Sequence, residues 1–187
     1  MQTARTALIA DQPALAISRL VFVDETGVTT NMIRRYGRAP RGKRLVDKTP
    51  HGHWQMTTCI AALTSEGMST LGTIDGAVNG ELFLIWVQEF LAPTLKSGDI
   101  VLMDNLACHK NPAVREAIEA TGATLRLLPA YSPDLNPIEK AFAKFKAWLR
   151  KAKPRKLKAL WREIAKTIKA FTPQECTAYF KSCGYAN

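Results

Sequence analysis

The sequence predicts an α/β fold, and three stretches carry that prediction. Ile100–Met103 is an apolar run typical of a buried strand. Asn111 and Pro112 form an N-cap and first-turn pair that begins a helix, which Gly122 ends. Residues 124–128 predict the next strand, so the two strands of this unit should be parallel. Parallel strands place functional residues at their carboxyl ends, so the residue after the first of these strands is a candidate for a site.

Further strands are predicted upstream, which makes the sheet a mixed one. Leu20 to Val23 form a β-branched and aromatic run that we expect to end at two acids, and residues 27–31 predict a turn into an antiparallel partner. Residues 53–63 and 68–74 are predicted strands. Asn79 begins a predicted helix, whose expected apolar face comprises Leu82, Leu84, Ile85, Val87, Phe90 and Leu91.

Composition and charge narrow the class of protein. The chain has 187 residues, enough for one domain with a continuous core, and its formal net charge is +10. A basic surface of this size favours nucleic acid over an anionic membrane as partner, although a basic binder without chemistry has the same charge. No apolar run approaches the roughly 20 residues of a membrane span, so we expect a cytoplasmic protein. The four cysteines form no CxxC pair and are interpreted as free thiols.

Three acids stand out by position. Asp24 and Asp104 each follow an apolar strand-like run, and Glu139 lies just inside a helix start after a turn-rich stretch. Mg²⁺ prefers carboxylate oxygens and keeps several waters, so a few such acids suffice to hold it. Each acid taken singly is better explained as a cap or a first-turn residue. The combination favours a metal site for phosphodiester chemistry.

Basic side chains cluster in two regions. The first is the Gly- and Pro-containing loop over residues 34–44, and the second is the helix after Glu139. So many like charges repel one another unless a polyanion compensates them, so we interpret both regions as DNA-facing rather than simply solvated. The expected DNA-binding residues of these two regions are Arg34, Arg35, Arg38, Arg41, Lys43, Arg44, Lys140, Lys144, Lys146 and Arg150, and Lys110 near Asp104 is a further one.

Three motifs resemble one known family. They are FVDETG around Asp24, LMDNLACHK around Asp104 and LPAYSPDLNPIEKAFAKFK around Glu139, and 34 residues separate the last two acids. Together they resemble the DDE transposases of bacterial insertion sequences in the mariner-like superfamily. The resemblance extends from Leu20 to the C-terminus, and its last motif is the most specific.

The resemblance implies a fold and a chemistry. It implies an RNase H-like fold: a mixed central sheet flanked by helices, with a basic helical C-terminal extension. It also implies two Mg²⁺ or Mn²⁺ ions held by Asp24, Asp104 and Glu139, which would support cleavage at transposon ends and attack of the freed 3′-hydroxyl on target DNA. Asn105, His109 and Asn136 match recurrent motif positions and would support the site.

Domain limits and partners follow from the same resemblance. We expect a lead-in segment over residues 1–18, an RNase H-like DDE catalytic core over 19–152, and a helical C-terminal extension of the same domain over 153–187. The implied partners are transposon-end and target DNA, and a homodimer in the working complex. The implied location is the bacterial cytoplasm, associated with the nucleoid when the protein is bound to DNA.

Only about twenty residues precede the first predicted strand, fewer than a helix-turn-helix region needs. The chain is therefore expected to be either the second of two overlapping reading frames, with an upstream helix-turn-helix product as partner, or a truncated relic. Two other functions stay open: an RNase H-like nuclease or resolvase, and an inactive or truncated transposase remnant that only binds DNA. Glu25 is excluded as a primary metal ligand, because side chains alternate along a strand and Glu25 would face away from Asp24.

Overall fold

One mixed sheet organises the chain. A computed structural model describes residues 2–34 and 36–185. Within those residues the sheet has five strands in the order β3-β2-β1-β4-β5. The strands are β1 (Leu20–Thr29), β2 (Met56–Thr64), β3 (Gly67–Asp75), β4 (Ile100–Met103) and β5 (Thr124–Leu127).

The directions of the strands agree with the sequence prediction. β1, β2 and β3 pair antiparallel, whereas β1 pairs parallel with β4, and β4 pairs parallel with β5. The predicted strand–helix–strand unit is therefore confirmed, and so is the mixed sheet. Because β1 has one parallel and one antiparallel neighbour, the two ladders need not end at the same residue.

Helices cover both faces of the sheet. They are α1 (Gln2–Asp11), α2 (Gly80–Trp86), α3 (Pro112–Glu119), α4 (Ile138–Ala152), α5 (Leu157–Ile168) and α6 (Pro173–Ser182). Successive β1 side chains point to opposite faces. Leu20 and Phe22 pack with residues of α4, α5 and α6, and Val21 and Val23 pack with residues of α2 and α3.

Short polar caps fix where several helices begin. The Asn79 side chain accepts a hydrogen bond from the Leu82 N–H at 2.8 Å, which satisfies a donor that the first turn of α2 leaves free. Asn111 caps α3 in the same way through the Ala113 N–H at 3.0 Å. The predicted N-cap at Asn111 is confirmed, and so is the predicted start of a helix at Asn79.

The buried face of α2 and its continuation differs from the expected one only in part, since Val87 and Leu91 are fully buried as predicted. Phe83 and Trp86 are buried, whereas Leu82, Ile85 and Phe90 are 38%, 46% and 54% exposed. The stretch is apolar almost all round, so periodicity alone could not select a face. In addition, the helix continues as a π-helical turn, Val87–Leu91, whose wider spacing shifts the later side chains.

The C-terminal segment completes one of the two cores. The ring of Phe22 on β1 contacts Phe180 and Tyr185 edge-on, each with centroids 5.1 Å apart. Arg155 donates hydrogen bonds to the carbonyls of Thr30 and Met32, at 3.0 and 3.1 Å, and so holds the start of the long β1–β2 loop. The extension thus packs with the sheet rather than apart from it.

None of the described helices is both long and apolar enough to cross a membrane.

Removing the Phe180 ring should destabilise the whole domain. Phe180 is fully buried, so Phe180→Ala should lower the free energy of unfolding by about 3–5 kcal/mol, measured by urea denaturation. The control is Lys181→Ala on the same helix, an exposed change that should stay within about 0.5 kcal/mol. A small loss for Phe180→Ala would show that the C-terminal segment lies outside the cooperative core.

Candidate active site

The register of β1 and β4 brings two of the acids together. Val23 pairs with Met103 in the parallel ladder, so Asp24 and Asp104 are the next residues on neighbouring strands. Neighbouring strands lie about 4.8 Å apart, which makes the two carboxylates close neighbours. One detail of the prediction was wrong, because Asp24 does not end β1. The antiparallel ladder with β2 continues to Thr29, while the parallel ladder stops one residue before Asp24.

A loop brings the third acid to the same place. After β5 the chain turns through residues 129–137, and α4 begins at Ile138 with Glu139 in its first turn. Tyr185 donates a hydrogen bond to the Leu135 carbonyl at 3.0 Å, which supports this loop from the C-terminal segment. Asp24, Asp104 and Glu139 then line one cleft of about 390 Å³.

Asp24 is the most buried of the three acids. Its side chain accepts hydrogen bonds from the Asn136 amide at 3.0 Å and from the Glu25 N–H at 2.8 Å. Burial raises the pKa of Asp24 to about 7, and the nearby carboxylates Glu25, Asp104 and Glu139 add to the rise despite the Glu25 N–H bond, which lowers it. A cation among these acids would favour the charged form of Asp24.

Asp104 is held in a different way. Its Oδ1 atom accepts from the Leu106 N–H at 3.0 Å and lies 2.7 Å from Nδ1 of His109. Burial alone would raise the Asp104 pKa, but these two hydrogen bonds lower it below its ordinary value. Asp104 is therefore a carboxylate that stays charged beside Asp24.

His109 links Asp104 to Glu25. The ring is fully buried, packs on Phe83 with centroids 4.6 Å apart, and places Nε2 3.0 Å from Glu25 Oε1. Burial opposes the charged imidazolium, yet the hydrogen bonds to Asp104 and Glu25 outweigh it and raise the pKa of His109 to about 10. The two carboxylates therefore favour the charged imidazolium form of His109.

The residues expected to support the site meet in this region. Asn105 and Asn136 line the cleft together with the acids. His109 contacts Asp104. Glu25 pairs with Ile60 of β2 and so lies on the face of the sheet opposite Asp24, as the alternation of side chains along the strand predicted. Glu25, Cys108 and His109 also offer donor atoms within 4.8 Å of one another.

One feature of the cleft was missed. Tyr131 lines it with a side chain that is 92% exposed, and its backbone has φ +56°, a left-handed conformation that non-glycine residues rarely adopt. Such strain concentrates at functional sites. The aromatic residue within AYSPDLNP was the available signal, but the sequence alone does not reveal its backbone conformation.

The expected DNA-binding residues lie in several places. Arg34, Arg38 and Arg150 line a second groove of about 1390 Å³ between the β1–β2 loop and α4. Arg35 lies outside the described residues. The other members are exposed, except that Lys144 and Lys146 are partly buried; the exposed ones are Arg41, Lys43, Arg44, Lys110 and Lys140.

Lys144 differs from the rest of this set. Its ammonium forms an ion pair with Glu175, donates to the Ala170 carbonyl at 2.7 Å, and lies 4.8 Å above the Phe171 ring. These contacts join α4 to the segment that leads into α6. Because Glu175 already compensates its charge, Lys144 is less suited to contact DNA than the exposed cations of this set.

The donor set of the cleft fits a hard divalent cation. It consists of carboxylate oxygens and a neighbouring amide, the ligands that Mg²⁺ and Mn²⁺ favour. The side-chain oxygen of Asn136 is buried and has no hydrogen-bond partner among the described residues. The mutual repulsion that helps to raise the Asp24 pKa is the kind of strain that a bound cation relieves.

The strand order and the helices on both faces define an RNase H-like fold, and the acids of the cleft occupy β1, the end of β4 and the start of α4. Within that class the chain belongs to the DDE superfamily endonuclease family, whose sequence pattern matches residues 19–161. No curated protein sequence matches the chain significantly.

Solved structures of Mos1 transposase share this fold. The Mos1 strand transfer complex has a TM-score of 0.60 at 19% identity, covering 98% of this chain and 60% of that one. The Mos1 paired-end complex with the left transposon end has a TM-score of 0.60 at 19% identity, and the match covers 97% of this chain and 60% of that one. The catalytic domain of Mos1 mariner transposase has a TM-score of 0.52 at 17% identity, and the match covers 100% of this chain and 93% of that one. The chain thus spans about 60% of the length of the transposase in the two complexes.

Replacing Asp24 by Asn should stabilise the metal-free protein in a pH-dependent way. The folded pKa of about 7 exceeds the unfolded value of about 3.9, so the folded protein loses stability as the pH rises between these values. The gain in unfolding free energy for Asp24→Asn should therefore be small at pH 4 and reach at most about 4 kcal/mol at pH 8. Urea denaturation with a chelator present measures it.

Asp134→Asn is the control with the opposite sign. Arg5 lowers the pKa of exposed Asp134, so that carboxylate contributes stability above its unfolded pKa and loses it as the pH falls through the folded value. Its removal should cost stability at neutral pH rather than add it. A pH-independent effect of Asp24→Asn would contradict the raised pKa.

Proposed function

We propose that this chain is the catalytic domain of a DDE transposase, which cleaves transposon-end DNA and transfers the freed 3′-hydroxyl to target DNA. The observation that carries the proposal is the meeting of Asp24, Asp104 and Glu139, from three separate elements, in one cleft of a chain with net charge +10. Family membership supports the endonuclease chemistry. Mos1 transposase has been solved as a strand transfer complex and as a paired-end complex with the left transposon end, which supports DNA as partner.

Asp24, Asp104 and Glu139 would hold two Mg²⁺ or Mn²⁺ ions in this proposal. Mos1 complexes with Mg and with Mn support the choice of metal. When bound, the metal supplies the Lewis acid that activates the attacking oxygen and stabilises the leaving one. Asn136 orients Asp24 through its 3.0 Å hydrogen bond, and His109 orients Asp104.

The chain's own cations would position the DNA. Arg34, Arg38 and Arg150 line one groove, and phosphate contacts from such residues set the register of a duplex without reading its sequence. Lys140 is exposed in the first turn of α4, next to Glu139, and would contact the DNA backbone beside the cleft. Tyr131 presents an exposed ring at the cleft, suited to stacking on a base.

Three wider parts of the proposal rest on the motif resemblance. They are the bacterial insertion-sequence origin, the homodimer of the working complex and an upstream helix-turn-helix product that recognises the transposon ends. A remnant that only binds DNA is the weaker alternative, because such a protein has no need for three carboxylates around one cleft.

Substitution of the metal ligands should abolish metal-dependent nicking of end-containing DNA. Asp104→Asn and Glu139→Gln should each reduce the nicking rate by about 1,000-fold, since several kcal/mol of charge stabilisation corresponds to that factor. Asp75→Asn, the same change at an exposed acid that ends β3, is the matched control and should keep full activity. Equal nicking by Asp104→Asn and the unmodified protein would refute the ligand assignment.

Neutralising the groove should change the salt dependence of DNA binding. Arg34→Ala and Arg150→Ala should each reduce the slope of log K against log salt concentration by about 1, because each phosphate contact releases roughly one counterion. Fluorescence anisotropy with duplex DNA over a range of salt concentrations measures the slope. Lys169→Ala, an exposed lysine outside the groove, should leave it unchanged. Equal slopes for all three variants would remove the groove from the DNA-binding surface.

A further inference from the structure

His109 makes a directed contact at each ring nitrogen. Nδ1 lies 2.7 Å from Asp104 Oδ1, and Nε2 lies 3.0 Å from Glu25 Oε1. The ring itself is fully buried and packs on Phe83, so it has little freedom to rotate. Glu25 and His109 are 84 residues apart in sequence, so only the fold brings them together.

The two oxygens of Asp104 have different surroundings. Oδ1 is engaged by His109 Nδ1 and by the Leu106 N–H at 3.0 Å. Among the described residues, no protein donor is hydrogen-bonded to Oδ2, and the side chain remains 39% exposed at the cleft. Because His109 and the Leu106 N–H hold Oδ1, Oδ2 is the oxygen left free to bind a cation in the cleft.

The geometry points to Glu25 as a positioning residue, which acts through His109 to orient Asp104 for metal binding from the opposite face of the sheet. This inference rests on the proposed function and deepens it, since Glu25 contacts neither substrate nor metal in that scheme. Partners of this kind fix the orientation of the ligand that they touch and tune its affinity for the metal.

The carboxylate of Glu25 is mostly buried, and His109 is the group that compensates its charge. The Glu25 side chain is only 14% exposed, and its Oε2 atom is buried without a hydrogen-bond partner among the described residues. A buried carboxylate of this kind persists where another group compensates it, and His109 is the group in contact. With a carboxylate at each nitrogen, the ring is held at both ends rather than at one.

A separate metal site at Glu25, Cys108 and His109 is the competing reading of the same atoms. Their donor atoms lie within 4.8 Å of one another, and a thiolate would favour a softer metal. Both nitrogens of His109 already contact carboxylates, so a metal there would have to break the contact with Glu25. The positioning role needs no such rearrangement.

The test measures Mn²⁺ affinity by calorimetry on the metal-free, DNA-free chain. His109→Gln and Glu25→Gln should each weaken Mn²⁺ binding by about 10- to 100-fold. The double variant should be no weaker than His109→Gln alone, within about twofold, because Glu25 acts only through the histidine. Glu116→Gln, an exposed glutamate on α3, is the control and should leave the affinity unchanged.

Three outcomes would overturn the inference. The first is an affinity for Glu25→Gln within about twofold of the unmodified chain, whatever happens to its thermal stability. The second is full additivity of the two substitutions. The third is a thiolate-to-metal absorption band with Co²⁺ that disappears in Cys108→Ser, which would assign these residues to a metal site of their own.

Failure of the proposed function gives a different result. If the acids do not bind metal, Mn²⁺ affinity will be the same for the unmodified chain and for Asp104→Asn. If only the positioning role is wrong, Asp104→Asn will still lose Mn²⁺ while Glu25→Gln retains it.

Discussion

The parallel pairing of β1 with β4 is the constraint on which the site depends. Because Val23 pairs with Met103, the residues after them are neighbours, and both are aspartates. A shift of one residue in this register would turn one carboxylate to the other face of the sheet. The apolar residues of β1 and β4, buried on both faces, prevent that shift. The hydrophobic core thus sets the distance between two catalytic candidates.

Gathering the acids is unfavourable, and the surrounding residues limit the cost. Asn136 donates to Asp24, His109 donates to Asp104, and Glu139 occupies the first turn of α4, where the helix dipole favours negative charge. The loop before α4 is itself held by Tyr185. Holding these like charges in one cleft therefore lowers the stability of the domain, as at many active sites.

Much of the site could be predicted from sequence, because Asp104 and Glu139 follow local signals: an acid after an apolar run, and an acid after a turn at a helix start. Other features depend on residues that are distant in sequence. The antiparallel ladder that carries β1 beyond Asp24 is formed with β2, and the partner of His109 is Glu25. Charge alone could not separate Lys144, which is paired with Glu175, from the other cations. The apolar sequence of α2 likewise left its buried face undetermined.

The contact of Phe22 with Phe180 and Tyr185 has a consequence during synthesis. A growing chain emerges N-terminus first, so Phe22 of β1 cannot make these two ring contacts until the ribosome has made the residues through Tyr185. The hydrogen bond from Tyr185 to the loop before Glu139 likewise forms only after Tyr185 has been synthesised. Contacts so far apart in sequence slow folding. The cleft is consequently assembled after translation of this domain is nearly complete, and a nascent fragment does not yet hold the three acids together.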